Sequence, residues 1–163
     1  MKVLLITTPP NAVLSALEIL NDVELFIVNC ACDVNVIKSR VFNIVKSISP
    51  DIILTYRCPY ILPYDIYSKP QFGSFNIHPS LLPKHPGLNP WEDIMNDDSQ
   101  INGVTLHRIS KNIDKGEIIL QHSYSIVTMN YENARQEADD IASNLACDLI
   151  YMLNRKHPIK YRY

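Results

Sequence analysis

Glycine is scarce in this chain. Its 163 residues contain four, Gly73, Gly87, Gly103 and Gly116, and all lie between positions 73 and 116. Glycine marks backbone that must turn sharply or let another group come close, so the special backbone is concentrated in the middle. No G-x-G-x-x-G run follows the first strand-like segment, which excludes the common dinucleotide-binding fingerprint. Long apolar runs are absent too; none approaches the roughly 20 residues needed to cross a bilayer. The opening Met1-Lys2-Val3-Leu4-Leu5-Ile6 is cut off by Thr7-Thr8-Pro9-Pro10, too short for a signal-peptide core. No membrane association and a cytoplasmic location are expected. The formal net charge is only −2, which argues against nucleic acid or an anionic membrane as partner. Cysteines number four: Cys30, Cys32, Cys58 and Cys147. The C-x-C spacing of the first two has no downstream Cys or His cluster, so no metal site is expected and the thiols read as reduced and structural. No Ser or Cys sits in a nucleophile-elbow motif, so no covalent enzyme intermediate is expected. Repeats, low-complexity segments and linkers are also missing.

Hydrophobic residues make up 47% and charged residues 20%, ordinary values for a globular protein. The length suits one domain over residues 1–163 with a single sizeable core. Strand-like runs at 2–7, 23–28, 51–55 and 72–77 alternate with helical spacing at 12–20 and 34–48, the latter stopped by Pro50. Alternation of this kind predicts a parallel sheet with helices on its faces. Longer strands follow at 101–109 and 117–127. Residues 131–153 then form one long amphipathic helix, with Ala134, Ala138, Ile141, Ala142, Leu145 and Leu149 on one stripe. The expected fold is α/β: a Rossmann-like, mostly parallel sheet flanked by helices, with a C-terminal strand pair and a long closing helix. The basic, aromatic tail 155–163 reads as a solvated terminus.

The chemistry concentrates in Asn76-Ile77-His78-Pro79 and the loop after it. Alternating strand side chains put Asn76 and His78 on one face, and Pro79 ends the strand. An amide and an imidazole thus sit side by side at the sheet edge where ligands of α/β folds bind. Asn89-Pro90-Trp91 reads as a helix start, with Asn89 as cap and Pro90 in the first turn. Asp114, two residues before Gly116 on a loop between strands, can bring a carboxylate to a site built elsewhere. An amide, an imidazole and a carboxylate can act together on a carbonyl, stabilising an oxyanion and accepting a proton. Taken alone, the same residues also fit plainer roles: Asn76 as a strand-end cap, His78 as a satisfied core histidine, Asp114 as a turn residue.

The run from Asn76 to Gly87, with its Asn-x-His and Ser80-Leu81-Leu82-Pro83, the strand Gly103-Val104-Thr105-Leu106-His107 and the loop Ile113-Asp114-Lys115-Gly116 resemble the folate-dependent formyltransferase family. That family includes glycinamide ribonucleotide, methionyl-tRNA and sugar-nucleotide formyltransferases. The resemblance is strongest over residues 50–121. It implies transfer of a formyl group from the co-substrate 10-formyltetrahydrofolate to a primary amine of a small acceptor, without a metal. By the same resemblance, Asn76 holds the formyl oxygen, His78 stabilises the tetrahedral oxyanion, and Asp114 sets the charge of His78 and takes the amine proton. Tyr60, Ile61 and Leu62, with Ser110 and Ile113, would enclose the pterin. Pro86, Gly87 and Leu88 would meet the acceptor. A homodimer is compatible with the family.

The departures bear on the acceptor. The glycine-rich loop that cradles phosphate in glycinamide ribonucleotide enzymes is replaced by Thr7-Thr8-Pro9-Pro10-Asn11, in which two prolines remove two N–H donors. Together with the near-neutral charge, this ranks a sugar amine carried on a nucleotide first, glycinamide ribonucleotide next and transfer RNA last. A nucleotide needs an aromatic or apolar shelf, for which Trp91, His85 and Tyr60 are candidates. Two alternatives use the same residues: hydrolysis of 10-formyltetrahydrofolate with water as nucleophile, and a non-catalytic folate- or nucleotide-binding module.

Overall fold

A computed structural model describes residues 1–155. Among these, β1 (Lys2–Thr7), α1 (Ala12–Glu18), β2 (Glu24–Asn29), α2 (Val34–Ile48), β3 (Ile52–Tyr56), α3 (Tyr64–Tyr67) and β4 (Gly73–His78) follow in order. Then come α4 (Pro90–Asn96), β5 (Ile101–Arg108), β6 (Ile118–Ser125) and α5 (Tyr131–Asn154). The strands make one six-stranded sheet in the order β2-β1-β3-β4-β5-β6. Pairing is parallel from β2 to β4 and antiparallel across β4–β5 and β5–β6. The expected mostly parallel sheet with a C-terminal strand pair and a closing helix is present, the antiparallel pairings confined to β4–β5 and β5–β6. The tail expected at 155–163 lies, beyond Arg155, outside the described residues.

The two sheet faces are covered differently. Val3, Leu5, Ile52, Leu54, Phe75, Ile77, Val104 and Leu106 are buried with residues of α1 and α5. Leu4, Ile6 and Ile53 on the other face are buried with Ile37, Val41 and Val45 of α2 and Ile66 of α3. Burying both faces of β1 and β3 explains why those strands read as continuous apolar runs. Helix α2 matches its expected bounds because both ends carry local signals. Asp33 accepts the Asn35 N–H at the start, and Ser49 closes the end with φ +48. Helix α3 was not anticipated, since a single four-residue turn has no periodicity to detect. Asn89 occupies the cap position of α4, but its side chain makes no capping bond. Its ψ of 61° departs from the extended geometry that aims a cap oxygen at the first-turn N–H groups. Among the described residues no helix is long and apolar enough to cross a membrane.

Candidate active site

The face that is apolar over α2 and α3 turns polar further along the sheet. Thr55 of β3 pairs in register with Asn76 of β4, and Asn76 with His107 of β5. Three polar side chains therefore stand in one row across three strands. Thr55 donates its hydroxyl to Asn76 Oδ1 at 2.7 Å, and Asn76 Nδ2 lies 3.1 Å from His107 Nε2. The Thr55 hydroxyl also lies 3.3 Å from the Phe75 carbonyl, and an Nδ1–H on His107 leaves its Nε2 as acceptor, an arrangement that turns the amide nitrogen of Asn76 toward His107. This leaves Asn76 with two N–H groups, one directed to His107 and one uncommitted. His107 Nδ1 lies 2.9 Å from the Arg108 carbonyl, the geometry of an Nδ1–H donor. The pairing of β5 with β6 slips between Leu106 and His107, the kind of irregularity that re-aims a side chain next to a site.

Two loops complete the site. After β4, Ser80 Oγ donates to the Lys84 and His85 carbonyls at 2.7 and 3.3 Å. Thr105 Oγ1 ties this loop to the sheet by donating to the Ser80 carbonyl and accepting from Leu82 N–H and Gln121 Nε2. The loop so held places the His85 carbonyl 2.8 Å from His78 Nε2. After β5, Asp114 adopts φ +52, a left-handed conformation that Asp and Asn tolerate best among residues with a side chain. Gly116 lets the loop close, because a Cβ there would collide with the Arg108 carbonyl. Asp114 Oδ2 accepts the Gly87 N–H at 2.7 Å and lies 3.7 Å from His78 Nδ1, and Oδ1 lies 3.5 Å from His107 Nε2. Gly87 has φ +106 with nothing within 4 Å of where a Cβ would stand. Its glycine character thus serves the backbone that reaches Asp114.

Burial lowers the pKa of His78, with the Asp114 charge acting in the opposite direction. Asp114 shows the reverse balance. Burial works against its charge, but His107, His78 and the Gly87 N–H together hold it below the usual carboxylate range. The resting pair is therefore a neutral imidazole beside a carboxylate. Negative charge arising nearby would favour protonation of the imidazole.

The cluster opens into a cleft of about 600 Å³, the size of a small-molecule site. Asn76, His78, Asp114, Tyr60, Ile61, Leu62, Ser110, Ile113, Gly87 and Leu88 all line it. Pro86 does not; of the loop after Pro79, the lining begins at Gly87. Three lining side chains are large, apolar and half or more exposed: Ile61 at 57%, Leu88 at 63% and Ile113 at 50%. Of the shelf candidates, Tyr60 and Trp91 line the cleft, whereas the His85 ring is bound to Asp97 at 3.0 Å. Trp91 packs edge-on to Tyr131 at 5.8 Å, and the Arg135 guanidinium sits over the Tyr131 ring. Arg57 also lines the cleft. Both oxygens of Asp139 on α5 engage its guanidinium, Tyr56 donates to the same carboxylate, and Thr8 bonds its carbonyl. The Thr7–Asn11 loop is filled by its own side chain. Asn11 donates to Thr7 Oγ1 and the Thr8 carbonyl and accepts from Leu14 N–H.

Against known proteins, the family model described as Formyl transferase matches residues 3–144. The chain belongs to the formyl transferase family. Over 125 residues it is 33% identical to the bifunctional polymyxin resistance protein ArnA of Wigglesworthia glossinidia brevipalpis, covering 77% of this chain and 18% of that protein. Over 89 residues it is 35% identical to methionyl-tRNA formyltransferase of Thermotoga maritima, covering 55% of this chain and 28% of that one. The chain thus spans under a third of the length of these curated relatives. The crystal structure of phosphoribosylglycinamide formyltransferase from Anaplasma phagocytophilum shares the fold with a TM-score of 0.80. That match has 19% identity and covers 95% of this chain and 87% of that one. Within the formyl transferase fold, His107, Thr55 and Arg57 are among the cleft residues to which the sequence alone assigned no role. His107 stands in the strand segment that carries the family resemblance and shares its parity with Thr105, two signals that could have found it; the pairing of Thr55 and Arg57 depends on register and on contacts distant in sequence.

Proposed function

We propose that this chain transfers a formyl group from 10-formyltetrahydrofolate to a primary amine of a small acceptor. The observation that carries this reading is the cluster Asn76, His78, His107 and Asp114 at a cleft walled by exposed Ile61, Leu88 and Ile113. The apolar wall suits a flat aromatic pterin, and the polar end suits the reacting carbonyl.

The amine nitrogen attacks the formyl carbon, and the carbonyl oxygen becomes an oxyanion. The uncommitted Nδ2–H of Asn76 donates to that oxygen. His78, neutral at rest because of its burial, gains its proton as the negative charge grows, with Asp114 at 3.7 Å stabilising the cation. Delivering an N–H to the oxyanion requires the His78 ring to exchange its contact with the His85 carbonyl. The proton that His78 gains comes from the attacking ammonium, relayed by Asp114 directly or through water, and it passes on to folate N10 as the carbon–N10 bond breaks, so that His78 and Asp114 end as they began. The products are a formamide and tetrahydrofolate.

For the acceptor, a sugar amine carried on a nucleotide is the first candidate and glycinamide ribonucleotide the second. Trp91 and Tyr131 offer an aromatic shelf, and Arg135 a cation at the same cleft. The self-bonded Thr7–Asn11 loop supports ranking the shelf above a phosphate loop. The test is calorimetric titration with 5-formyltetrahydrofolate, a stable analogue of the formyl donor. Saturable micromolar binding, about −8 kcal/mol, is expected. No heat from demonstrably folded protein would remove the folate pocket and the proposal with it. Release of tetrahydrofolate from the 10-formyl compound without any amine would favour the hydrolase.

A further inference from the structure

Cys30 follows β2 and Cys58 follows β3, and the two meet beyond the end of the strand between them. All four cysteines are free thiols. Cys30 donates its S–H to Cys58, with the sulfurs 3.6 Å apart. The two are unequally placed: Cys30 is buried, whereas Cys58 is half-buried and lines the cleft. We propose that Cys30 and Cys58 form a reversible oxidation site, whose disulfide weakens binding of the folate formyl donor.

A small oxidant entering the cleft meets Cys58 first. The hydrogen bond from Cys30 lowers the Cys58 thiol pKa, while that bond and burial raise the pKa of Cys30. Cys58 therefore acts as the attacking thiolate and Cys30 as the resolving thiol. With hydrogen peroxide as oxidant, Cys58 Sγ attacks one oxygen and becomes a sulfenic acid, releasing water once its leaving hydroxide is protonated. Cys30 Sγ then displaces the sulfenic hydroxyl as a second water, its thiol proton completing that molecule. Two thiols and one peroxide give one disulfide and two waters.

A disulfide requires sulfurs about 2.05 Å apart, so the pair must close by roughly 1.5 Å. Cys58 also donates to the Tyr60 carbonyl at 3.5 Å, a contact the disulfide removes. On one side of Cys58, Arg57 is anchored by Asp139 and Thr8. The adjustment therefore falls on residues 58–62, the wall assigned above to the pterin. The effect on affinity rests on that assignment; the disulfide does not.

The experiment treats the purified chain with hydrogen peroxide and maps the products by peptide mass. Loss of two hydrogens in a linked Cys30–Cys58 peptide is expected in the wild type, in Cys32→Ser and in Cys147→Ser. In Cys30→Ser the reaction should stop at a Cys58 sulfenic acid trapped by dimedone. Titration with 5-formyltetrahydrofolate should then show about tenfold weaker binding after oxidation, restored by dithiothreitol. A disulfide between other cysteines, or none at all, overturns the site. Equal affinity of oxidised and reduced protein overturns the regulatory effect. If the reduced protein binds no folate, the functional reading and the affinity effect fail together, and peptide mapping still decides the site.

Discussion

Replacing Asp114 by Asn removes one negative charge and almost nothing else. The left-handed backbone at φ +52 is one that Asn also adopts, so strain does not enter as it would with Ala. The amide oxygen can still accept the Gly87 N–H now bound at 2.7 Å. The loss is the interaction between the carboxylate and a protonated His78, together with the carboxylate's part in taking up the amine proton. At 3.7 Å and an effective dielectric constant of about 20, that interaction is about 4 kcal/mol. The imidazolium forms only as the oxyanion forms, so most of this loss falls on the transition state. Turnover should drop on the order of 10² to 10³-fold at about 1.4 kcal/mol per decade. Affinity for 5-formyltetrahydrofolate should change little, and the melting temperature should fall by no more than a few degrees. The assay is single-turnover formation of the N-formyl product at saturating donor, alongside a thermal melt. Near wild-type turnover would refute the electrostatic reasoning. Loss of the folded state would make Asp114 a turn residue.

His78→Ala should lower turnover by roughly 3–4 kcal/mol of transition-state stabilisation, typical of an oxyanion donor, with folate affinity kept; kinetics together with calorimetry check both halves. Gly87→Ala meets no steric obstacle but must hold φ +106. It should cost on the order of 1–2 kcal/mol of stability, read by urea unfolding, and weaken turnover by shifting the Asp114 contact. Stability should also depend on His78 titration. Its folded pKa is below the ordinary 6.5, so its contribution is full above about pH 6.5 and is lost as pH falls through the lowered folded value. Melting temperatures of wild type should therefore fall more steeply between pH 7 and 5 than those of His78→Gln, and parallel curves would contradict this.

Much of the fold was legible because its signals are local. Apolar runs mark β1 and β3, both buried on two faces, and α2 carries a cap and a stop within its own sequence. The site was legible where it follows one strand: the alternation of β4 alone puts Asn76 and His78 together. What sequence could not supply was register. Thr55 and His107 flank Asn76 only because β3, β4 and β5 pair as they do, and nothing within any one strand encodes that pairing. The Arg57–Asp139 contact joins residues 82 positions apart. The family resemblance put Pro86 at the acceptor site, and the ring of His85 made that residue a candidate for the nucleotide shelf. The loop instead turns at Gly87 and sends the imidazole of His85 to Asp97, a direction set by hydrogen bonds to β5 and β6.

The most direct test of formyl transfer follows the carbon itself. The chain is mixed with tetrahydrofolate carrying a ¹³C-formyl group at N10 and with an amino sugar nucleotide, then with glycinamide ribonucleotide, and products are read by NMR. A ¹³C-formamide signal on one amine, growing with enzyme concentration and lost in Asp114→Asn, is the expected result. Label appearing only as formate would contradict transfer to an amine, and label staying on folate with every acceptor tried would contradict catalysis by this cleft.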